Sequence, residues 1–203
     1  IAVKLVPVLS LPLFLNKLGW KKSVLFYSVT AAVFIILFIP FFSFGLLENF
    51  SATIGLWFSN FEFNASVYYF LKGTLENING VSVINSMGII VACVVTLQTS
   101  YLLLKKKKET SQIILMMLWI LSGYYFISTT VHPWYIISLL LLSVFTNYKF
   151  VLVWSYTLIL SYIAYNEFSV EECNSILIIE YTPVILMLGW ELCSKKFLKI
   201  KAS

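Results

Sequence analysis

No aspartate and no arginine occur among the 203 residues, and histidine occurs once. These gaps exclude whole classes of chemistry. A Ser/His/Asp relay or a paired-metal constellation cannot be assembled from what remains. No glycine-rich phosphate loop follows a strand pattern. Charge is scarce altogether, at 11% of residues, where a soluble domain carries about a quarter. Three cysteines are present. Cys93 falls mid-span, Cys173 in a loop and Cys193 at a helix end, depths too different for a disulfide. Their spacing fits no metal, so they read as apolar filler.

What the chain has in quantity is apolar length: 60% of it is hydrophobic. Runs of near twenty apolar residues recur, enough for an α-helix to cross a hydrocarbon core of about 30 Å. The alternation of a transmembrane β-barrel is missing. The fold class predicted is all-α, a polytopic transmembrane helix bundle. Hydropathy places seven spans, at about Ile1–Leu15, Ser23–Phe44, Asn85–Leu104, Ser111–Val131, Trp134–Phe145, Lys149–Tyr165 and Ser175–Cys193. The fifth is short for a full crossing. The chain opens on Ile1 inside a hydrophobic run, which reads as a cut point in a longer protein. On that reading residues 1–203 are a single transmembrane domain.

Lysine sets the orientation. Lys17, Lys21 and Lys22, then Lys105 to Lys108, then Lys149, then Lys195, Lys196, Lys199 and Lys201 occupy alternate connections. The intervening loops carry Glu48, Glu62 and Glu76, then His132, then Glu167, Glu171 and Glu172. Short cytoplasmic loops accumulate lysine, so the lysine connections are cytoplasmic and the C-terminus lies inside. Topology also accounts for the net charge of +5. The Lys105–Lys108 run has no aromatic platform beside it, so anionic lipid headgroups rather than nucleic acid are its expected neighbours.

One outer loop has real size, about residues 45–84. Ile54, Trp57, Phe58, Phe61, Ala65, Tyr68 and Tyr69 recur at helical steps, interrupted by Glu62, Asn64 and Lys72. Gly73 is placed to stop a helix after Lys72. The pattern predicts an amphipathic helix, lying along the membrane surface or packed on the bundle. Two N-glycosylation patterns, at Asn49 and Asn64, are accidental matches in a bacterial chain.

Three further features carry polar chemistry. In Thr129-Thr130-Val131-His132-Pro133-Trp134-Tyr135 the proline breaks the helix and is expected to display His132 at the membrane boundary. Trp134 and Tyr135 also suit that boundary as plain anchors. Lys4 either snorkels to the surface or holds an anionic group. Glu180 lies about a turn into the last span, a functional suspect unless it reaches water. Glu191 precedes Lys195 by four residues and reads as structural.

The order of these features resembles the C-terminal half of bacterial polytopic mannosyltransferase-like proteins of the GT-C glycosyltransferase class. The resemblance rests on Lys4-Leu5-Val6-Pro7, the outer-loop segment from Gly55 through Asn64 to Tyr69, His132-Pro133-Trp134-Tyr135 and Ile179-Glu180-Tyr181, and covers most of the chain. It implies transfer of a sugar, mannose in the first instance, from a polyprenyl-phosphate donor to a glycan or lipid acceptor on the outer face of the inner membrane. No cofactor is implied. The catalytic carboxylate of such enzymes usually sits in a first outer loop, expected upstream of residue 1. By position, Glu62 and Asn64 would line the donor–acceptor cavity, and His132 and Lys4 would stabilise the departing phosphate. Trp134, Tyr135 and Glu180 complete the substrate-binding candidates. A lipid-linked glycan polymerase or ligase is the nearest alternative, although such proteins depend on arginine. A transporter or flippase would show repeats and interrupted helices near the midplane.

Overall fold

The computed structural model describes residues 6–59, 61–79, 83–105, 109–165 and 173–201. Among these the secondary structure is helical, with no strand. Four stretches are long and apolar enough to cross a membrane: Val6–Phe41, Ser86–Leu104, Thr110–Ile127 and Asn174–Ser194. Pro133–Val144 and Phe150–Ala164 are shorter apolar helices. The chain divides into two compact units, Ile1–Thr130 and Val131–Ser203.

The first unit starts with a 3-10 helix at Val6–Leu13 that runs into α1 (Phe14–Phe38). This stretch is not one rod. Gly19 takes φ 73°, ψ 168°, a left-handed conformation glycine enters freely, and there the chain turns back. The Tyr27 hydroxyl donates to the Leu11 carbonyl at 2.9 Å, and the rings of Phe14 and Phe26 lie 5.3 Å apart. In an unbroken helix residues 11 and 27 would be about 24 Å apart. The turn falls within the expected Lys17–Lys22 connection.

After Ile39–Phe41 come α2 (Phe44–Ser59), α3 (Val67–Asn79), α4 (Ile84–Leu104) and α5 (Thr110–Ile127). The expected single amphipathic helix is instead two helices with a bend between. Residues 61–66 leave the helix because Asn64 adopts φ 50°, which asparagine tolerates better than most residues. Gly73 does not stop α3, which continues to Asn79. The helix cost of one glycine, about 1 kcal/mol, is outweighed by the turns on either side. The side chains of Ile54, Trp57 and Phe58 lie outside the described ones.

α4 is apolar all round, yet one stripe alone is buried: Met87, Val91, Val95, Thr99 and Leu102, against the 3-10 segment and α5. Ile89, Leu97 and Leu104 on the other side are open. In lipid an open leucine carries no penalty, so close packing and interhelical hydrogen bonds decide the pairing. One such bond joins α4 to α5, where the Gln98 amide donates to the Trp119 carbonyl at 2.7 Å. It passes over Gly123, where a Cβ would collide with the Gln98 amide. Gly123→Ala is expected to swing Gln98 off that carbonyl. The lost bond, about 0.6 kcal/mol on average in membranes, offsets most of the roughly 1 kcal/mol of helix propensity gained, so net stability changes little. Unfolding titrations in mixed micelles measure this, and a clear loss would mean that the backbones themselves are forced apart.

The first unit has two distinct poles. At one, Asn16 donates to the Leu103 carbonyl at 2.8 Å and Lys17 to the Thr110 hydroxyl at 2.7 Å, so the first and second lysine connections meet. At the other, some 24 Å away along α5, Phe126 and Thr130 receive the segment between α2 and α3.

The second unit comprises Pro133–Tyr135, α6 (Ile136–Val144), α7 (Phe150–Thr157), a 3-10 continuation at Leu158–Ala164 and α8 (Asn174–Lys201). α7 packs on both α6 and α8. Its core is Phe150, Val151, Trp154 and Leu158 against Tyr181 and Val184. The Glu191 carboxylate accepts from the backbone N–H of Lys149 at 2.7 Å and of Phe150 at 3.2 Å. It thereby caps α7, whose first amide groups have no intrahelical partner. Glu191 is structural, as expected; the Lys195 side chain proposed as its partner lies outside the described ones.

Candidate functional site

The bend at residues 61–66 is held against the end of α5 by backbone logic. The last carbonyls of a helix lack partners within it, and the bend supplies them. The Ser66 hydroxyl donates to the Phe126 carbonyl at 3.0 Å, and the Phe63 N–H to the Thr129 carbonyl at 3.0 Å. In return the Thr130 hydroxyl donates to the Phe61 carbonyl at 3.2 Å. Phe63 and Thr130 pair as a single parallel bridge. Phe63, Asn64 and Ala65 are buried in consequence.

Glu62 projects from this pinned bend towards α3. Tyr68 and Lys72 stand one helical turn apart on the same face of α3, so both reach it. The Tyr68 hydroxyl donates to Oε1 at 2.6 Å, and the Lys72 ammonium donates to Oε1 at 2.9 Å and Oε2 at 2.7 Å. Glu62 and Lys72 keep 22% and 35% of their side chains exposed. The pair is neutral as a whole, with acceptor and donor side by side and open to a ligand. A carboxylate already engaged with three donor hydrogens suits binding better than proton abstraction. A phosphate would have to approach Lys72 past a negative oxygen, whereas adjacent hydroxyls of a neutral sugar could use both halves of the pair.

The other candidates fare differently. Asn64, 1% exposed, serves the turn through its backbone rather than lining an open cavity. Lys4 lies outside the described residues. His132 is not displayed: it is 6% exposed. Its ring stacks on Trp134 at 4.4 Å and 11°, and meets the edge of Tyr135 at 5.3 Å. The Tyr135 N–H closes this turn on the His132 carbonyl at 2.9 Å. Contrary to expectation Pro133 does not break α5, which already ends at Ile127; it opens the next helical turn at its first position, and the aromatic stack turns the imidazole inward. Trp134 is the exposed member, at 44%. Glu180 is fully buried in α8, so it does not reach water as a boundary residue would. Its neighbour Tyr181 meets Trp154 edge-on at 5.9 Å.

No family model, curated protein sequence or solved structure matches this chain. The chemistry of the site therefore rests on its geometry. Among the described residues no group of three or more His, Cys or Glu side chains is placed to hold a metal ion. Lys72 and Tyr68 are the members of this cluster that periodicity did not single out as site candidates. Lys72 registers there as an interruption in an apolar stripe, although a lysine ten residues from a glutamate in a charge-poor loop is itself a signal.

Burial holds the His132 imidazole below its ordinary value of 6.5, so it is neutral at neutral pH and poorly suited to hold a phosphate by charge. The native state then resists a proton that the unfolded chain accepts. Stability contributed by the neutral ring is complete above the unfolded value and is lost as pH falls from there through the lower folded one. Unfolding midpoints measured down this range are expected to decline, and His132→Asn to flatten the decline; an identical slope in the variant would remove His132 as its source.

Proposed function

We propose that this chain belongs to an integral membrane glycosyltransferase of the GT-C-like type its sequence resembles. It would transfer a sugar from a polyprenyl-phosphate donor to a glycan or lipid acceptor on the extracytoplasmic face. The observation that carries the reading is the half-open, charge-neutral Glu62–Lys72 pair with Tyr68, fixed to the end of α5. A neutral group of adjacent donors and acceptors on a rigid mount favours sugar hydroxyls, because a ligand lacking them leaves the polar groups unpaired. Within the second unit, the exposed Trp134 face, backed by His132, is by itself a flat apolar surface of the kind that receives C–H groups of a pyranose.

In this reading the chain crosses the inner membrane seven times: the two arms joined at Gly19, α4, α5, the two shorter apolar helices and α8. The Gly19 turn, Lys105 and the C-terminal lysines face the cytoplasm, and Glu62 faces outward. Cys173 and Cys193 are both exposed and report on this directly. The backbone N–H groups of Ser175 and Ile176, with the Ser175 hydroxyl, pull the Cys173 thiol below its ordinary value, which favours the reactive thiolate. A membrane-impermeant maleimide is expected to label Cys173 on intact cells and Cys193 only after permeabilisation; the reverse pattern would invert the topology.

Activity is tested with the full-length protein in native membranes, supplied with radiolabelled polyprenyl-phosphate mannose and related donors. Incorporation into a glycan or lipid acceptor is the expected result. Unaltered donor across the series, from protein that is folded and correctly oriented, would sink the transferase reading.

A further inference from the structure

Topology explains why lysines lie on one side of a membrane, but not why the fold gathers them. The Asn16 and Lys17 hydrogen bonds to Leu103 and Thr110 bring the Gly19 turn against the connection between α4 and α5. Lys17, Lys21, Lys22 and Lys105 are exposed there. Among the described residues none of the four pairs with a carboxylate, whereas Lys72 at the far pole does. Two of the ammonium groups are also held in place: Lys17 on the Thr110 hydroxyl at 2.7 Å, and Lys105 over the Tyr101 ring at 4.5 Å, so that, contrary to expectation, the lysine run does start beside an aromatic ring. Glu109, exposed beside Thr110, offsets one of these charges without pairing with any of the four; the remaining excess repels itself unless a further anion sits among them.

The aromatic neighbours indicate which anion. Trp20, beside Lys21, and Tyr101 are both open at the ends of apolar spans, where such rings mark the headgroup level of a bilayer. We infer that the pole formed by Lys17, Lys21, Lys22 and Lys105 is a binding site for an anionic phospholipid headgroup. It prefers a phosphate without its own covalently attached cation, as in phosphatidylglycerol or cardiolipin, over a zwitterionic one. Lys17 and Lys105 fix the phosphate through charge-assisted hydrogen bonds, and Lys21 and Lys22 supply field. The site lies at the opposite end of α5 from Glu62 and does not depend on what Glu62 binds.

The test is lipid retention by the purified full-length protein in neutral-detergent micelles, followed by native mass spectrometry. Phosphatidylglycerol, cardiolipin and phosphatidylcholine are the probes. Anionic lipid is expected to be held at least about tenfold more tightly than phosphatidylcholine. The preference should fall to near parity in K17Q/K105Q, each lysine removed weakening anionic retention about five-fold, and persist in K17R/K105R and in K72Q at the far pole of the same unit. Should K17Q/K105Q fail to fold, K21Q/K22Q, whose lysines make no hydrogen bond among the described residues, decides the matter by the same loss. Equal retention of the anionic and zwitterionic lipids would overturn the inference, as would an equal loss in K72Q. Displacement by millimolar inorganic phosphate as readily as by lipid would reassign the pole to a soluble anion.

Discussion

Glu62→Gln is expected to lower kcat/KM for sugar transfer by about ten- to a hundredfold, and to leave the unfolding midpoint nearly unchanged. The amide keeps the shape of the carboxylate but turns a donor, in place of an acceptor, towards Lys72. The site goes from neutral to positive and loses an oxygen that a sugar hydroxyl would use. A hydrogen bond to a charged group contributes about 1.5–3 kcal/mol, which sets the expected range of rate. Stability suffers less because Glu62 and Lys72 are partly open, so water replaces the lost partner, and exposed pairs are worth at most about 1 kcal/mol. Lys72→Met should act in the same direction, and the swapped pair E62K/K72E should recover part of the loss. Full transfer activity in Glu62→Gln would remove the pair from the substrate site and leave it a clamp between α3 and the bend.

Glu191→Ala is expected to cost stability rather than activity, by roughly 3–6 kcal/mol for two hydrogen bonds to a charged acceptor. The amide of Lys149 and that of Phe150 would lose their partner. Glu191 and Phe150 are both buried, so water does not take over the role, in contrast to Glu62. Glu191→Gln retains one acceptor and should lose about half as much. Unfolding in mixed micelles, read by loss of helix, measures the difference. Tyr148 gives an independent reading: burial raises its phenol above the ordinary value, and the negative charge of Glu191 raises it further. In Glu191→Gln that phenol should titrate at lower pH, though still above a free tyrosine. If it did not shift and the helix held, the carboxylate would not be the cap.

Both outcomes turn on contacts that hydropathy does not register. Apolar length alone marked the helices long enough to cross a membrane, because a run of such residues has one comfortable solvent whatever it packs against. It could not say that α5 ends at Ile127 rather than Val131. That boundary follows from Phe63 bonding to Thr129 across 66 residues of chain, a pairing with no local trace. The same distant pairing broke the expected amphipathic helix, since periodicity continues through Asn64 while its backbone does not. The polar suspects were found by type, as glutamate, lysine and histidine in an apolar chain, but their roles were set by neighbours. His132 was expected to be on display and is stacked beneath Trp134; Glu62 was singled out while its partner Lys72 was not. Gly19 was legible only as part of a lysine turn, and the positive φ that folds the two arms together follows from the close packing of both.

The brevity of α6 has a consequence beyond its own unit. Pro133–Val144 is a helix of 12 residues, no more than about 20 Å long, against about 30 Å of hydrocarbon. If it crosses as proposed, the bilayer must come to meet it. Lipid around a short span bends inward and thins, leaving a dimple with headgroups drawn towards the midplane. A long isoprenoid chain with a bulky polar end would find there the shallowest route from the leaflet to the protein surface.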